Sequence, residues 1–197
     1  MSPPLQVLLV VPDTARRRAL ARELGELGTF LTHRAASDSA SVPASELDAA
    51  IVQDELPDGT GLAVVARLRA EAPGLPVMVL ARLNEGRVVQ EALRLEVELA
   101  EVPPRTATLR SFLEALDERR AEAIERLADR WELSDRERVV LALAAQGLTY
   151  PMIADALKLS KNTLRTYRER IARKAEASGF DQVLQQLGRR RSSRPPR

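Results

Sequence analysis

The residues best suited to chemistry lie between Ser160 and Ala177. Lys161, Arg165, Arg168, Arg170, Arg173 and Lys174 stand there against one acid before Glu176, namely Glu169. Ser160 is a good helix cap. Leu164, Ile171 and Ala175, spaced seven and four apart, fall on one helical face, and Arg165, Thr166 and Glu169 at i, i+1 and i+4 fall on another. An outward face of that kind fits a DNA major groove, where arginine pairs with guanine and glutamate accepts from cytosine. Lys161, Asn162, Thr163 and Arg168 are expected to meet phosphate near the entering end, helped by the free amides of the helix start. Thr149, Arg170 and Lys174 complete the candidate contacts. A merely solvated basic helix is the plain alternative, and capping, spacing and charge together argue against it.

Other chemistries are poorly supplied. Cysteine is absent, which excludes disulfides, zinc–thiolate sites and thiol nucleophiles. The single histidine, His33, reads as a strand surface residue, and no catalytic group, metal or cofactor is expected. No apolar run approaches the roughly 20 residues that span a bilayer. The opening MSPPLQVLLVVPD lacks a basic leader region, so a cytoplasmic setting with no membrane partner is expected. Charge is divided unevenly. Residues 1–120 hold 14 Lys and Arg against 18 Asp and Glu, whereas residues 121–197 hold 16 against 10. An acidic part joined to a basic part implies two tasks.

The elements that would position these residues follow from hydrophobic pattern. Short apolar runs at Leu5–Val11, Phe30–Arg34, Ala49–Val52, Pro76–Leu80 and Val97–Val102 read as strands. Helical spacing separates several of them, at Asp13–Leu27, Gly61–Glu71 and Glu85–Arg94. Ala36–Glu46 supports only a short or irregular helix. Alternation of this kind predicts a five-stranded parallel sheet with helices on both faces and chemistry at the strand ends. From about Thr106 to Trp131 one long helix is expected. Its stripe Leu116, Ala123, Leu127 and Trp131 is either a dimer seam or a surface packed on one of the domains. Four shorter helices follow. Ser134 and Glu137 form a capping box, Gly147 stops the first helix, and Pro151 sits early in the second. A helix–turn–helix results. The expected divisions are 1–118, a connector at 119–132, the helical reader at 133–188, and a basic, disordered tail at 189–197.

Residues 133–187 resemble the LuxR/NarL (FixJ), GerE-like DNA-binding domain. The resemblance rests on Arg136-Glu137-Arg138, Gly147-Leu148-Thr149, Ile153-Ala154 and the entry Ser160-Lys-Asn-Thr163-Leu164-Arg165. Tyr167 and Glu169 depart from the usual pattern, the latter bearing on which site is read. Residues 5–118 resemble a response-regulator receiver, a flavodoxin-like fold with an acidic pocket for Mg²⁺ and a phosphoryl acceptor. Matched residue by residue, that pocket is degenerate. The acidic pair falls on Val11 and Pro12, the acceptor on Gln53, the switch hydroxyl on Ala81 and the lysine on Val102. Neither valine nor proline offers Mg²⁺ a side-chain oxygen, and an amide is a poor nucleophile. Asp13 and Asp54 are the possible rescuers, but one residue along a strand reverses the side-chain direction. Asp58 suits a Pro-Asp-Gly turn.

The resemblance implies a non-enzymatic, sequence-specific transcription regulator that takes no phosphate in the usual way. It also implies a homodimer on inverted repeats of double-stranded DNA. Control would come through abundance, a protein partner or a small ligand of the altered pocket. The rival readings are a receiver-like interaction module with weak nucleic-acid contact and a conventional phosphorylated regulator using Asp54.

Overall fold

The computed structural model describes residues 5–84 and 86–189. Chain contacts divide it into two compact units, one from Pro4 to Leu116 and one containing the segment from Asp117 onward. The stretch expected as a separate connector groups with the second unit. Residues 190–197, most of the expected tail, lie outside the described residues, as do the side chains of Gln185 and Arg189.

The first unit is built on five strands: β1 (Leu5–Val10), β2 (Gly28–His33), β3 (Ala49–Gln53), β6 (Val77–Ala81) and β7 (Glu98–Glu101). All neighbours are parallel, in the order β2-β1-β3-β6-β7. The chain reverses its direction of growth between β1 and β3, which is where an open α/β sheet places its crevice. The helices are α1 (Thr14–Glu23), α2 (Ala36–Ser39), α3 (Gly61–Glu71), α4 (Gly86–Arg94) and the start of α5 (Thr106–Arg130). A small antiparallel ribbon, β4 (Glu55–Leu56) with β5 (Gly59–Thr60), precedes α3. The sequence pattern had suggested only a turn there.

The period-2 alternation of a strand sorts the core into two layers. Leu5, Val7, Leu9, Ile51, Met78 and Leu80 face α1 and α5, where Leu20, Leu24, Leu109, Phe112 and Leu113 meet them. Leu8, Val10, Ala50, Val52, Val77 and Val79 face the other way, onto Leu62, Val65 and Leu68 of α3 and Val88 of α4. Burial on both faces explains why the strands read as continuous apolar runs. Gly61 has a steric reason: a Cβ there would lie 2.4 Å from the Gln53 carbonyl oxygen.

The second unit contains the end of α5 with α6 (Asp135–Ala145), α7 (Tyr150–Leu157), α8 (Lys161–Lys174) and α9 (Phe180–Arg189). Its core is Ala128, Leu133, Val140, Leu141, Ile153, Leu164, Ile171, Phe180 and Val183, among others. Gly147, at φ +75°, ends α6 as expected, its amide donating to the Ala144 carbonyl. Lys158, the C-cap of α7, takes the same left-handed region without being glycine.

Along the α5 stripe, Ala123 is half-buried. Leu116 belongs to the sheet unit's core and Leu127 is buried within the chain. Trp131 packs, half-buried, against the helical core.

Among the described residues, no helix is long and apolar enough to cross a membrane.

Candidate nucleic-acid interface and the strand-end hollow

Helix α8 is capped by Ser160, whose hydroxyl oxygen accepts from the Thr163 amide at 3.1 Å and shares a 2.8 Å hydrogen bond with the Thr163 hydroxyl. Leu164, Ile171 and Ala172 turn into the core. Lys161, Asn162, Thr163, Arg165, Thr166, Glu169, Arg170 and Arg173 are exposed. Arg165 and Glu169, one turn apart, approach to 3.9 Å. The Thr166 hydroxyl donates to the Asn162 carbonyl at 3.1 Å. Thr149, the N-cap of α7, is also exposed. Arg165, Thr166 and Glu169 therefore lie together on an accessible arc, with Lys161 and Asn162 at its entering end.

Two cations among the candidate DNA contacts, Arg168 and Lys174, make contacts within the protein. Arg168 lays its guanidinium 3.4 Å from the Tyr150 ring centroid and 5.5 Å from that of Phe180. Among the described residues its Nε is buried without a hydrogen-bond partner. Tyr150 in turn donates to Asp181 at 2.7 Å. Burial, then the hydrogen bond to Asp181, raise the Tyr150 phenol, against the opposing Arg168 charge. This stack joins α7, α8 and α9. The signal was present in the sequence: Leu164, Arg168, Ile171 and Ala175 are spaced four, three and four, so Arg168 stands in the buried stripe.

Lys174 donates to Glu137 Oε2 at 2.7 Å and to the Glu132 carbonyl at 2.8 Å. Glu137 is only 3% exposed. It lies among Val140, Leu141 and Ala144 on the inward face of α6, where an acid requires a cation. Burial pushes its carboxyl up, but Lys174 and the Ser134 amide, which donates at 2.8 Å, pull it below the ordinary range. The capping box read from sequence is present. Lys174 is thus a strut between α6 and α8, an engagement that stands against the DNA contact expected of it.

The strand ends of the first unit form a hollow lined in part by Gln53, Asp54, Ala81, Arg82 and Val102. Val11 and Ala81 are buried apolar groups. Gln53 Nε2 reaches the Glu55 carbonyl at 3.5 Å, while its Oε1 is buried without a partner among the described residues. Arg17 donates to the Val11 and Pro12 carbonyls. Arg82 and Glu55, both exposed, pair at 3.5 Å.

The aspartates near this edge all serve helix starts. Asp13 caps α1, accepting from the Arg16 amide at 3.0 Å, and that bond holds its carboxyl below the usual range. Buried Asp54 accepts from the Leu62 amide of α3 at 3.2 Å. Asp58 accepts from the Ala36 and Ser37 amides of α2 at 2.7 and 2.9 Å. Among the described residues, no group of three or more His, Asp or Glu side chains is placed to hold a metal ion.

The chain thus pairs a doubly covered parallel sheet with a helical unit that carries a capped basic helix, the framework of receiver-type folds together with a helix–turn–helix. Residues 132–185 match the model for bacterial regulatory proteins of the luxR family. A putative transcriptional regulator of Pseudomonas aeruginosa is 31% identical over 150 residues, covering 66% of this chain and 70% of that protein. The chain belongs to the luxR family of bacterial regulatory proteins. The DNA-binding transcriptional activator DevR/DosR of Mycobacterium tuberculosis is 28% identical over 189 residues, covering 88% of this chain and 85% of its own length. Full-length FixJ from B. japonicum shares the fold over 96% of this chain and 98% of its own, with TM-score 0.51 and 20% identity.

Proposed function

We propose that this chain binds double-stranded DNA sequence-specifically through α8 and regulates transcription, acting in the cytoplasm as a pair on inverted half-sites. The observation that carries the reading is the exposed arc of Arg165, Thr166 and Glu169 on a helix capped by Ser160. Lys161 and the free amides at the α8 start suit phosphate, and Thr149 and Arg170 flank the same surface. Arg165 supplies a bidentate donor for guanine and Glu169 an acceptor for cytosine. Membership of the luxR family supports the same conclusion.

The sheet unit, in this reading, does no phosphoryl chemistry and the chain is not an enzyme. Val11, Pro12, Gln53, Ala81 and Val102 offer neither carboxylate, hydroxyl nor ammonium where a receiver uses them. Against an acceptor at Asp54 stands its engagement with the start of α3. The unit then answers to a protein partner, a ligand or abundance.

Footprinting of the purified full chain on the promoter region of its own gene tests the proposal. Protection of a discrete site with two related halves is expected. Uniform protection of any duplex would leave only a weak, unspecific nucleic-acid contact and overturn it.

A further inference from the structure

We propose that Thr166 reads a thymine, through its methyl group, at a base pair neighbouring the guanine taken by Arg165. The assignment rests on the groove-helix reading above. Arg165, Thr166 and Glu169 form the base-facing set, and Thr166 alone among them carries no charge. Its hydroxyl proton is given to the Asn162 carbonyl of its own helix at 3.1 Å. A threonine that turns its hydroxyl back one turn has spent its donor. What the exposed side chain then offers to a groove is the γ-methyl, beside an oxygen that can accept but has no proton left to give.

The neighbours sharpen the point. Arg165 and Glu169 approach each other across one turn at 3.9 Å, and Thr166 lies between them in sequence on the same exposed stretch of α8. In the major groove the thymine C5-methyl is the apolar feature that distinguishes one base from the other three, which present donors and acceptors. An apolar group set between two charged readers therefore selects thymine. Burying one methyl-sized group on binding is worth about a fourfold gain in affinity.

The test uses the full chain and a duplex selected from a randomised pool. Each thymine of that duplex is replaced singly by deoxyuridine, which removes only the methyl. For the wild-type chain, uracil at one position per bound subunit should weaken binding about fourfold. Thr166→Val, which keeps the methyl and loses the hydroxyl, should retain that sensitivity. Thr166→Ser, which keeps the hydroxyl and loses the methyl, should lose it. Circular dichroism checks that both variants fold.

Sequence-selective binding with no uracil-sensitive position would overturn the thymine assignment alone. So would sensitivity that survives in Thr166→Ser, or a thymine preference lost in Thr166→Val, which would make the hydroxyl the reader. A pool that yields no selected sequence overturns the groove-helix reading itself, and the thymine assignment with it.

Discussion

At the scale of single residues, the charged groups divide into those that face outward to a ligand and those that hold the protein together. Glu137 belongs to the second kind, because its carboxylate is buried and takes two donors on one oxygen. Removing the Lys174 ammonium leaves that carboxylate under-satisfied. Lys174→Ala should cost about 1–2 kcal/mol of unfolding free energy, kept at the low end because Lys174 is itself partly exposed. Urea denaturation of the variant measures this. Lys161 belongs to the first kind. Lys161→Ala should weaken binding to all duplexes alike and make the salt dependence shallower by about one phosphate contact, read from affinities at several salt concentrations. Asp58 gives a pH signature. The Ser37 hydroxyl, with the Ser37 and Ala36 amides, holds its carboxyl down at about 2. A depressed carboxylate stabilises the fold above its ordinary value near 3.8 and loses that contribution as pH falls toward 2. Asp58→Asn should therefore flatten the fall in denaturation midpoint between pH 5 and pH 2.5.

At the scale of elements, α8 is held by what it buries as much as by its cap. The Arg168 stack on Tyr150 and Phe180 ties the helix to α7 and α9. A cation over an aromatic face contributes about 0.5–2 kcal/mol depending on its solvation. Arg168→Met, which removes both the charge and the planar stack while keeping the chain length, should lower the thermal midpoint while leaving the salt slope of DNA binding unchanged. A salt slope reduced by one with no loss of stability would instead assign Arg168 to a phosphate. The strands and most helices were legible in the sequence, since runs such as Val77–Leu80 admit little else between their turn residues. The β4–β5 ribbon was not, because two-residue strands leave no periodicity to read. The internal contacts of Arg168 and Lys174 were not legible for another reason. Composition counts a basic residue as available, and only its position in the 3-4 stripe, or a buried acid such as Glu137 on a neighbouring helix, says that it is taken.

At the scale of the whole molecule, the sheet unit, in the proposed reading, keeps the receiver framework while the chemical positions at its strand ends are apolar or amide. Sequence matching alone named Val11, Pro12, Gln53, Ala81 and Val102. It could not show that Asp13, Asp54 and Asp58 are each engaged by helix amides, because that depends on which helix starts the fold brings beside them. Acetyl phosphate or beryllofluoride with Mg²⁺ should therefore leave the sedimentation behaviour and DNA affinity of the chain unchanged. Phosphorylated protein on a phosphate-affinity gel would contradict this. The central claim concerns the other unit, and it is tested most directly by comparing the wild-type chain and Arg165→Ala on specific and scrambled duplexes. A bidentate arginine–guanine contact supplies about 1–3 kcal/mol of discrimination, so the variant should lose roughly ten- to a hundredfold in specific affinity per half-site. The ratio of specific to scrambled binding should fall accordingly. An unchanged ratio in a folded Arg165→Ala chain would show that α8 is not the element that reads DNA.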